Sequence, residues 1–406
     1  MGGEAGIPGG SPTRMVKEVP ILPGTYTERT SVALRLCFFY AAYFAFVGIY
    51  LPFWPVWLRS RGLGPEDIAV VLAVSIAAKA IGNPVCAHIS DRSGERQRPI
   101  IILAVLAFAS FTLFPAVREF WPLVIVSLLF FAFWPPIMAL GESLTMLNVR
   151  SAGIDYGRTR LWGSISFIAF AILSGHALEG RHPDILFWML LASLAMLVIA
   201  AVVLPDARPP RALAVGRIPV LDVLRRPSFV LFLAAATAIQ GSHAVYYAFG
   251  TIHWRQAGYS DAVIGALWAE GVIAEILLFA LGDRIVRRLD PSWLLVVGAL
   301  AGGVRWAVLG MTDALPFVIA VQALHAFSFG AAHLAAIHFI SRAVPPHLSA
   351  TAQSLYGGVV MGLGLGLLLL ISGWLYEAHA GGAYHAMAAC SLLGAALSAL
   401  IARPQR

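Results

Sequence analysis

The sequence predicts an all-α membrane protein in which twelve helices cross the bilayer in two sets of six. Three observations carry that prediction. First, 59% of the 406 residues are hydrophobic and only 12% are charged, with a mean hydropathy of +0.80. A soluble domain carries about 25% charged residues, and a chain this apolar could not cover its own surface in water. Second, runs of roughly 20 apolar residues, enough to cross a hydrocarbon core about 30 Å thick, recur twelve times. Third, one long polar gap, Pro205–Pro227, divides the runs near the middle of the chain. The same composition excludes disorder and a disulfide-stapled secreted domain. Cys37, Cys86 and Cys390 are an odd number, lie in apolar runs, and read as small buried hydrophobes.

The first six spans are expected over roughly 32–58, 67–89, 99–117, 121–147, 158–179 and 183–204. The second six are expected over roughly 228–252, 261–282, 291–311, 315–341, 347–376 and 381–402. The chain therefore divides into an N-terminal tail (1–31), an N-terminal six-helix lobe (32–206), a linker rich in Pro and Arg (207–227), and a C-terminal six-helix lobe with a short tail (228–406). The N-terminal tail is Gly/Pro-rich and polar. It holds no short apolar segment followed by a cleavage site, so no signal peptide is read there and the first apolar run is taken to span.

Orientation follows from the basic residues. With both termini in the cytoplasm, twenty of the 28 Lys and Arg fall in inner segments and five in outer loops (Arg59, Arg61, Arg118, Arg181 and Arg255). Three, Arg35, Lys79 and Arg305, fall within spans. That asymmetry places both tails and the linker inside and accounts for the net charge of +7 without a nucleic-acid partner.

Twelve spans in two halves with a basic central loop match the major facilitator architecture. After span 2, Ser90-Asp91-Arg92-Ser93-Gly94-Glu95-Arg96-Gln97-Arg98 resembles that superfamily's loop between helices 2 and 3, with Ala87 in place of the leading Gly and Glu95 displacing an Arg. A weaker echo, Gly282-Asp283-Arg284, follows span 8. Asp91, Arg92 and Arg96 could pair with neighbouring helix ends and gate the inner mouth; a solvated loop obeying the positive-inside rule accounts for the arginines equally well. A closer resemblance, to the bacterial 3-phenylpropionate transporter family, rests on several segments. They are Leu51-Pro52-Phe53-Trp54-Pro55-Val56-Trp57-Leu58, Asp155-Tyr156-Gly157-Arg158-Thr159-Arg160-Leu161-Trp162-Gly163-Ser164 and Gln240-Gly241-Ser242-His243-Ala244-Val245-Tyr246-Tyr247, with Ala257-Gly258-Tyr259-Ser260, Val304-Arg305-Trp306 and Gln322-Ala323-Leu324-His325. That family is similar to the lactose permease group of sugar–proton symporters. The resemblance implies proton-coupled uptake of a small solute.

Ionisable groups inside the bilayer cost at least about 2.5–3.5 kcal/mol each and are read as functional. Those in the predicted spans include Lys79, Glu142, His243, Glu270, Glu275, Arg305, His325, His333 and His338. Glu142 near the end of span 4 and Arg160 near the start of span 5 lie at similar depths on antiparallel helices, within side-chain reach. They form either a substrate-holding pair or a brace between the two spans. In the lactose permease group a Glu and an Arg at this spacing hold the substrate, and Tyr156-Gly157-Arg158-Thr159-Arg160 matches the segment that carries the Arg. Phe167 stands where that group has its stacking Trp, which argues against a sugar. Arg158 lies about 200° from Arg160 around the helix and faces the interface. Lys79, in mid-span 2, would receive an anion or pair with a carboxylate. Gln240, His243 and Tyr247, at i, i+3 and i+7, make one polar stripe that faces the cavity or a neighbouring helix, offering donors and a π face.

Span 8 carries Glu270 and Glu275, span 9 Arg305 and span 10 His325. The lactose permease group places its proton-handling Glu, Arg and His on these helices. The two glutamates sit about 140° apart and cannot share a partner. The phenylpropionate resemblance, through Ala274-Glu275, selects Glu275. With Arg305 nearby, movement of the guanidinium between two states would switch the carboxyl's proton affinity, and His325 would orient it or relay the proton. Ser328 stands where the permease has a further acid, so the carrier would be Glu275; the same three residues could instead merely hold the lobe together. Gly357–Gly366, in span 11, reads as close helix packing or a hinge. No metal, nucleotide or cofactor motif is present, and the histidine spacings do not suit a metal.

The expected function is a secondary transporter, not an enzyme, that imports a small organic solute with protons by alternating access. The solute is most readily an aromatic carboxylate such as 3-phenylpropionate; a sugar or nucleoside symporter and an efflux antiporter are the alternatives. Expected partners are the solute, protons and the lipid bilayer, with no nucleic acid, and the proton gradient takes the place of a cofactor. A functional monomer in the bacterial inner membrane, both termini cytoplasmic, completes the expectation.

Overall fold

The structure is a computed structural model that describes residues 26–207, 220–282, 284 and 289–402. The echo at Asp283 and the side chains of Asp91 and Arg92 lie outside the described residues. The first six helices are α1 (Tyr26–Ser60), α2 (Pro65–Ser93), α3 (Gln97–Phe111), α4 (Phe120–Ala152), α5 (Tyr156–Leu178) and α6 (Asp184–Val203). After a five-residue helix, Val220–Leu224, come α7 (Pro227–Gln256), α8 (Asp261–Ala280), α9 (Pro291–Met311), α10 (Leu315–Ala343), α11 (Ser349–His379) and α12 (Ala383–Ala402). α11 and α12 form one nearly continuous helical run, broken where Ala380 turns to φ +46°.

Local chemistry fixes the ends. Asp155, Ser260 and Asp290 cap α5, α8 and α9 by accepting backbone N–H bonds from Arg158, Val263 and Ser292. Gly94 and Gly153 close α2 and α4 in the left-handed conformation that a side chain disfavours. α1 starts six residues ahead of its apolar run and α4 ends five beyond its own, because polar helical turns continue past the hydrocarbon. The cysteines are unpaired and half-buried rather than buried.

Three helices are irregular inside the membrane, which the hydropathy pattern did not anticipate. α7 breaks at Ser242–His243 between Pro227–Gly241 and Ala244–Gln256. α10 widens to a π-helix over Ala326–Ala331, directly after His325, and α11 does so over Tyr356–Gly364. Such irregular backbone is tolerated at membrane depth where protein or a cavity surrounds it, and π-turns gather at functional sites.

Each lobe packs its helices in the same order: α2 on α4 and α8 on α10, α3 on α6 and α9 on α12. The lobes meet through α2–α11 and α5–α8, pairs that exchange when each helix is replaced by its counterpart six further on. With twelve crossings, the start of α1 and the end of α12 share one face, here the terminal face. The seam is tight on the opposite face. A side-chain carbon on Gly373 of α11 would stand 2.6 Å from the Ala69 Cβ of α2, and one on Gly175 of α5 would collide with the Asp261 carbonyl of α8. Within the Gly-rich stretch, a side-chain carbon on Gly364 would stand 2.4 Å from Thr237 of α7, those on Gly366 and Gly362 would stand 3.9 and 3.8 Å from Ala73 and Ala80 of α2, and Gly357 and Gly358 have nothing within 4 Å.

Candidate functional site

In the N-terminal lobe, Arg160 Nε lies 3.7 Å from Glu142 Oε1, both half-exposed toward the interior. Tyr156 Oη donates to the other carboxylate oxygen at 2.9 Å. The guanidinium lies over the Phe44 ring, 4.1 Å from its centroid, and near the Tyr40 ring at 5.5 Å. Gly163 makes room for this: a side-chain carbon there would stand 2.7 Å from both Arg160 and Phe44. Cation–π contact and one carboxylate thus hold the fork in place while leaving donors unused. Lys79, also exposed, forms no ion pair or hydrogen bond among the described residues, so it is not tied to a carboxylate. Arg158 is exposed. Arg96 is buried and donates to Ser90 (2.7 Å) and Ser143 (3.2 Å), tying the α2–α3 connection to α4 one residue from Glu142.

In the C-terminal lobe, Arg305 is wholly buried. Its Nη2 donates to Gln322 Oε1 at 2.6 Å and its Nη1 to His325 Nδ1 at 3.0 Å, with Ser328 Oγ at 3.5 Å. The Tyr246 and Trp306 rings lie 4.5 Å from the guanidinium carbon. Gln322 in turn donates to the Leu267 carbonyl and the Tyr246 hydroxyl. Among the described residues no carboxylate touches Arg305. This corrects the expectation of a direct Glu275–Arg305 neighbourhood: His325 stands between them, its Nε2 4.0 Å from Glu275 Oε2. Two glycines allow the insertion. A side-chain carbon on Gly271 would stand 3.3 Å from the His325 ring and one on Gly330, in the π-turn, 3.1 Å from Glu275 Cγ, so α8 and α10 close around both side chains.

The geometry fixes the histidine's tautomer. Arg305 can only donate, so Nδ1 must accept, and the proton of the neutral ring sits on Nε2, facing Glu275. Glu270 has no hydrogen bond or ion pair among the described residues. Of the α7 stripe, Gln240 and His243 are buried within the lobe. His243 is hydrogen-bonded to the Gln240 carbonyl (3.1 Å) and Ser328 (3.4 Å) and lies edge-on to Trp306, so it joins helices; Tyr247 is half-exposed. His333 bonds the Tyr356 hydroxyl (3.1 Å). Among the described residues no group of three His, Cys, Asp or Glu could hold a metal.

Between the lobes, α5, which carries Arg160, packs on α8, which carries Glu275. Sequence reasoning missed Tyr156, Phe44 and Gln322 as parts of the site. For Gln322 the signal was its i, i+3 spacing to His325; for Phe44 nothing in one sequence marked it among 23 phenylalanines.

Two six-helix lobes, closed on one face around a polar interior, define a membrane transporter that works without enzymatic chemistry. The chain belongs to the MFS_1 like family, whose model matches residues 33–386. It is 34% identical over 376 residues to the "Probable 3-phenylpropionic acid transporter" of Escherichia coli (strain K12), covering 90% of this chain and 96% of that one. It is 25% identical to the maltose permease of Geobacillus stearothermophilus, over 91% and 94% of the two chains. Among solved structures, the nucleoside transporter NupG superposes with a TM-score of 0.81 at 16% identity, covering 92% of this chain and all of that one. The protein is a multi-pass secondary transporter of the major facilitator superfamily.

The tautomer gives a direct test. Nitrogen NMR of protein labelled in histidine is expected to show His325, identified by its loss in His325→Gln, as the neutral Nε2–H form at neutral pH. A doubly protonated ring, or the Nδ1–H form, would contradict the arrangement around Arg305.

Proposed function

We propose that this transporter imports a small aromatic carboxylate together with protons, across the bacterial inner membrane, as a monomer with both termini in the cytoplasm. The observation that carries the reading is the charge balance of the N-terminal half of the interior. Arg160 is half-exposed and faces one acid, Glu142, and Lys79 on α2 is exposed with no ion pair among the described residues. A carboxylate would complete that balance, its two oxygens matching the planar fork of Arg160. Phe44, Tyr40 and Tyr43, the last stacked on Trp134 at 4.5 Å, offer aromatic surface beside the fork. The name of the 34%-identical relative supports the same substrate class.

Coupling follows from the charge that the substrate brings to the interior. Arg160 on α5 and Glu275 on α8 lie on two helices that pack lobe against lobe. A substrate carboxylate would neutralise Arg160, and substrate and a proton on Glu275 would then favour each other by linkage. Anion and proton load together, as symport requires. Arg305 acts indirectly, by holding His325 with its N–H toward Glu275. The terminal face would be cytoplasmic. Rocking of the two lobes about the midplane would expose the site alternately.

An alkaline phosphatase fusion at Arg217 should be inactive and a cytoplasmic reporter there active; the reverse would invert the topology. In transport, a panel of radiolabelled aromatic acids, sugars and nucleosides should give protonophore-sensitive uptake of the acids. Uptake of a sugar or nucleoside in their place, or efflux, would overturn the reading. Arg160→Lys should lose about tenfold or more in affinity, since an ammonium cannot reproduce two charge-assisted bonds in one plane. Glu275→Gln should exchange substrate between the two sides but no longer accumulate it; accumulation at the wild-type level, still abolished by a protonophore, would remove Glu275 from the proton path.

A further inference from the structure

On the opposite face, where the lobes meet, a cavity of about 450 Å³ lies between the end of α1 and the end of α7. Val56, Ile252 and Pro183 line it, the first two only 3% exposed, and Arg59, Ser60, Arg255 and Gln256 bring polar groups to it. Arg59 and Ser60 belong to the N-terminal lobe and Arg255 and Gln256 to the C-terminal one, so each lobe brings one guanidinium to the same space.

The two cations are held differently. Arg255 is anchored by Asp261, Nε to Oδ1 at 2.9 Å and Nη2 to Oδ2 at 3.4 Å, which leaves its Nη1 donors unused. Arg59 is exposed and has no ion pair or hydrogen bond among the described residues. On this face Asp184 is engaged with Arg61 and His182, and Asp313 with His253, while Glu66, Asp67, Glu119, Glu179 and Glu377 also lie on it. Tyr376 donates to the Gln256 oxygen at 3.0 Å, leaving the amide nitrogen as a further donor. The cavity thus collects donors from both lobes, and Arg59 is its guanidinium without an acid partner among the described residues.

We propose that this cavity is a second binding site, for a small carboxylate that bridges Arg59 and Arg255. The ligand class follows from these walls and does not rest on the reading of the central site. Because the walls belong to different lobes, the site is complete only while the lobes meet on this face. An anion between two guanidiniums that belong to different lobes attracts both. Occupancy therefore holds this face closed.

The test uses the full chain purified in a nonionic detergent free of anionic lipid, on an Arg160→Gln background that removes the central guanidinium. Calorimetric titration with 3-phenylpropionate should show one saturable site. Its affinity should fall at least tenfold when Arg59→Gln is added and return with Arg59→Lys, and the uncharged amide should not bind. Spin labels at Arg181 and His379, one on each lobe, should give a narrower and shorter distance distribution with ligand. Absence of binding, binding indifferent to Arg59→Gln, equal binding of the amide, or an unchanged distance distribution would each overturn the proposal. Failure of the central reading shows separately, as unimpaired transport in Arg160→Gln alone.

Discussion

The guanidinium of Arg305 is wholly buried and, among the described residues, has no carboxylate in contact, and the C-terminal lobe is arranged around supplying what it lacks. A buried cation left without partners would cost several kcal/mol. Gln322, His325 and Ser328 supply lone pairs and Tyr246 and Trp306 supply ring faces, from three helices. Each of these partners is itself fixed. Gln322 reaches the Leu267 carbonyl of α8, and Trp306 donates to Ser242 at the break in α7. The effect is to orient His325, whose one remaining proton then faces Glu275. Arg305 thus reaches the carboxyl through a ring nitrogen rather than by direct contact.

The N-terminal lobe answers the same problem differently. Arg160 is half-exposed, faces an acid, and lies on the Phe44 ring; it can exchange its partners for a ligand's without becoming an unpaired buried charge. One lobe therefore carries a fixed cation that sets a tautomer, and the other an available cation that can receive an anion. The packing of α5, which carries Arg160, on α8, which carries Glu275, is what joins them.

Much of this was legible in the sequence. Twelve apolar runs and the polar linker determine the twelve helices, because without water the backbone must satisfy itself within each span. The closeness of Glu142 and Arg160 was legible from depth on antiparallel helices. The insertion of His325 between Glu275 and Arg305 was not, because it depends on a π-turn and on two glycines on different helices, Gly271 and Gly330, whose role appears only once the helices face each other. The α7 stripe shows the same limit: spacing placed Gln240, His243 and Tyr247 on one side of a helix, but only packing distinguishes the buried His243 from the half-exposed Tyr247. A polar stripe in a membrane helix has two places to go, the interior of its lobe or the space between lobes, and periodicity is identical for both.

The claim on which the account rests is that substrate on Arg160 and a proton on Glu275 load together. Mixing purified protein with 3-phenylpropionate in weakly buffered solution, with a pH indicator present, measures this directly. The wild type should take up protons from solution as the anion binds, and Glu275→Gln should bind the anion with no proton uptake. Equal proton uptake by the two proteins would contradict the account.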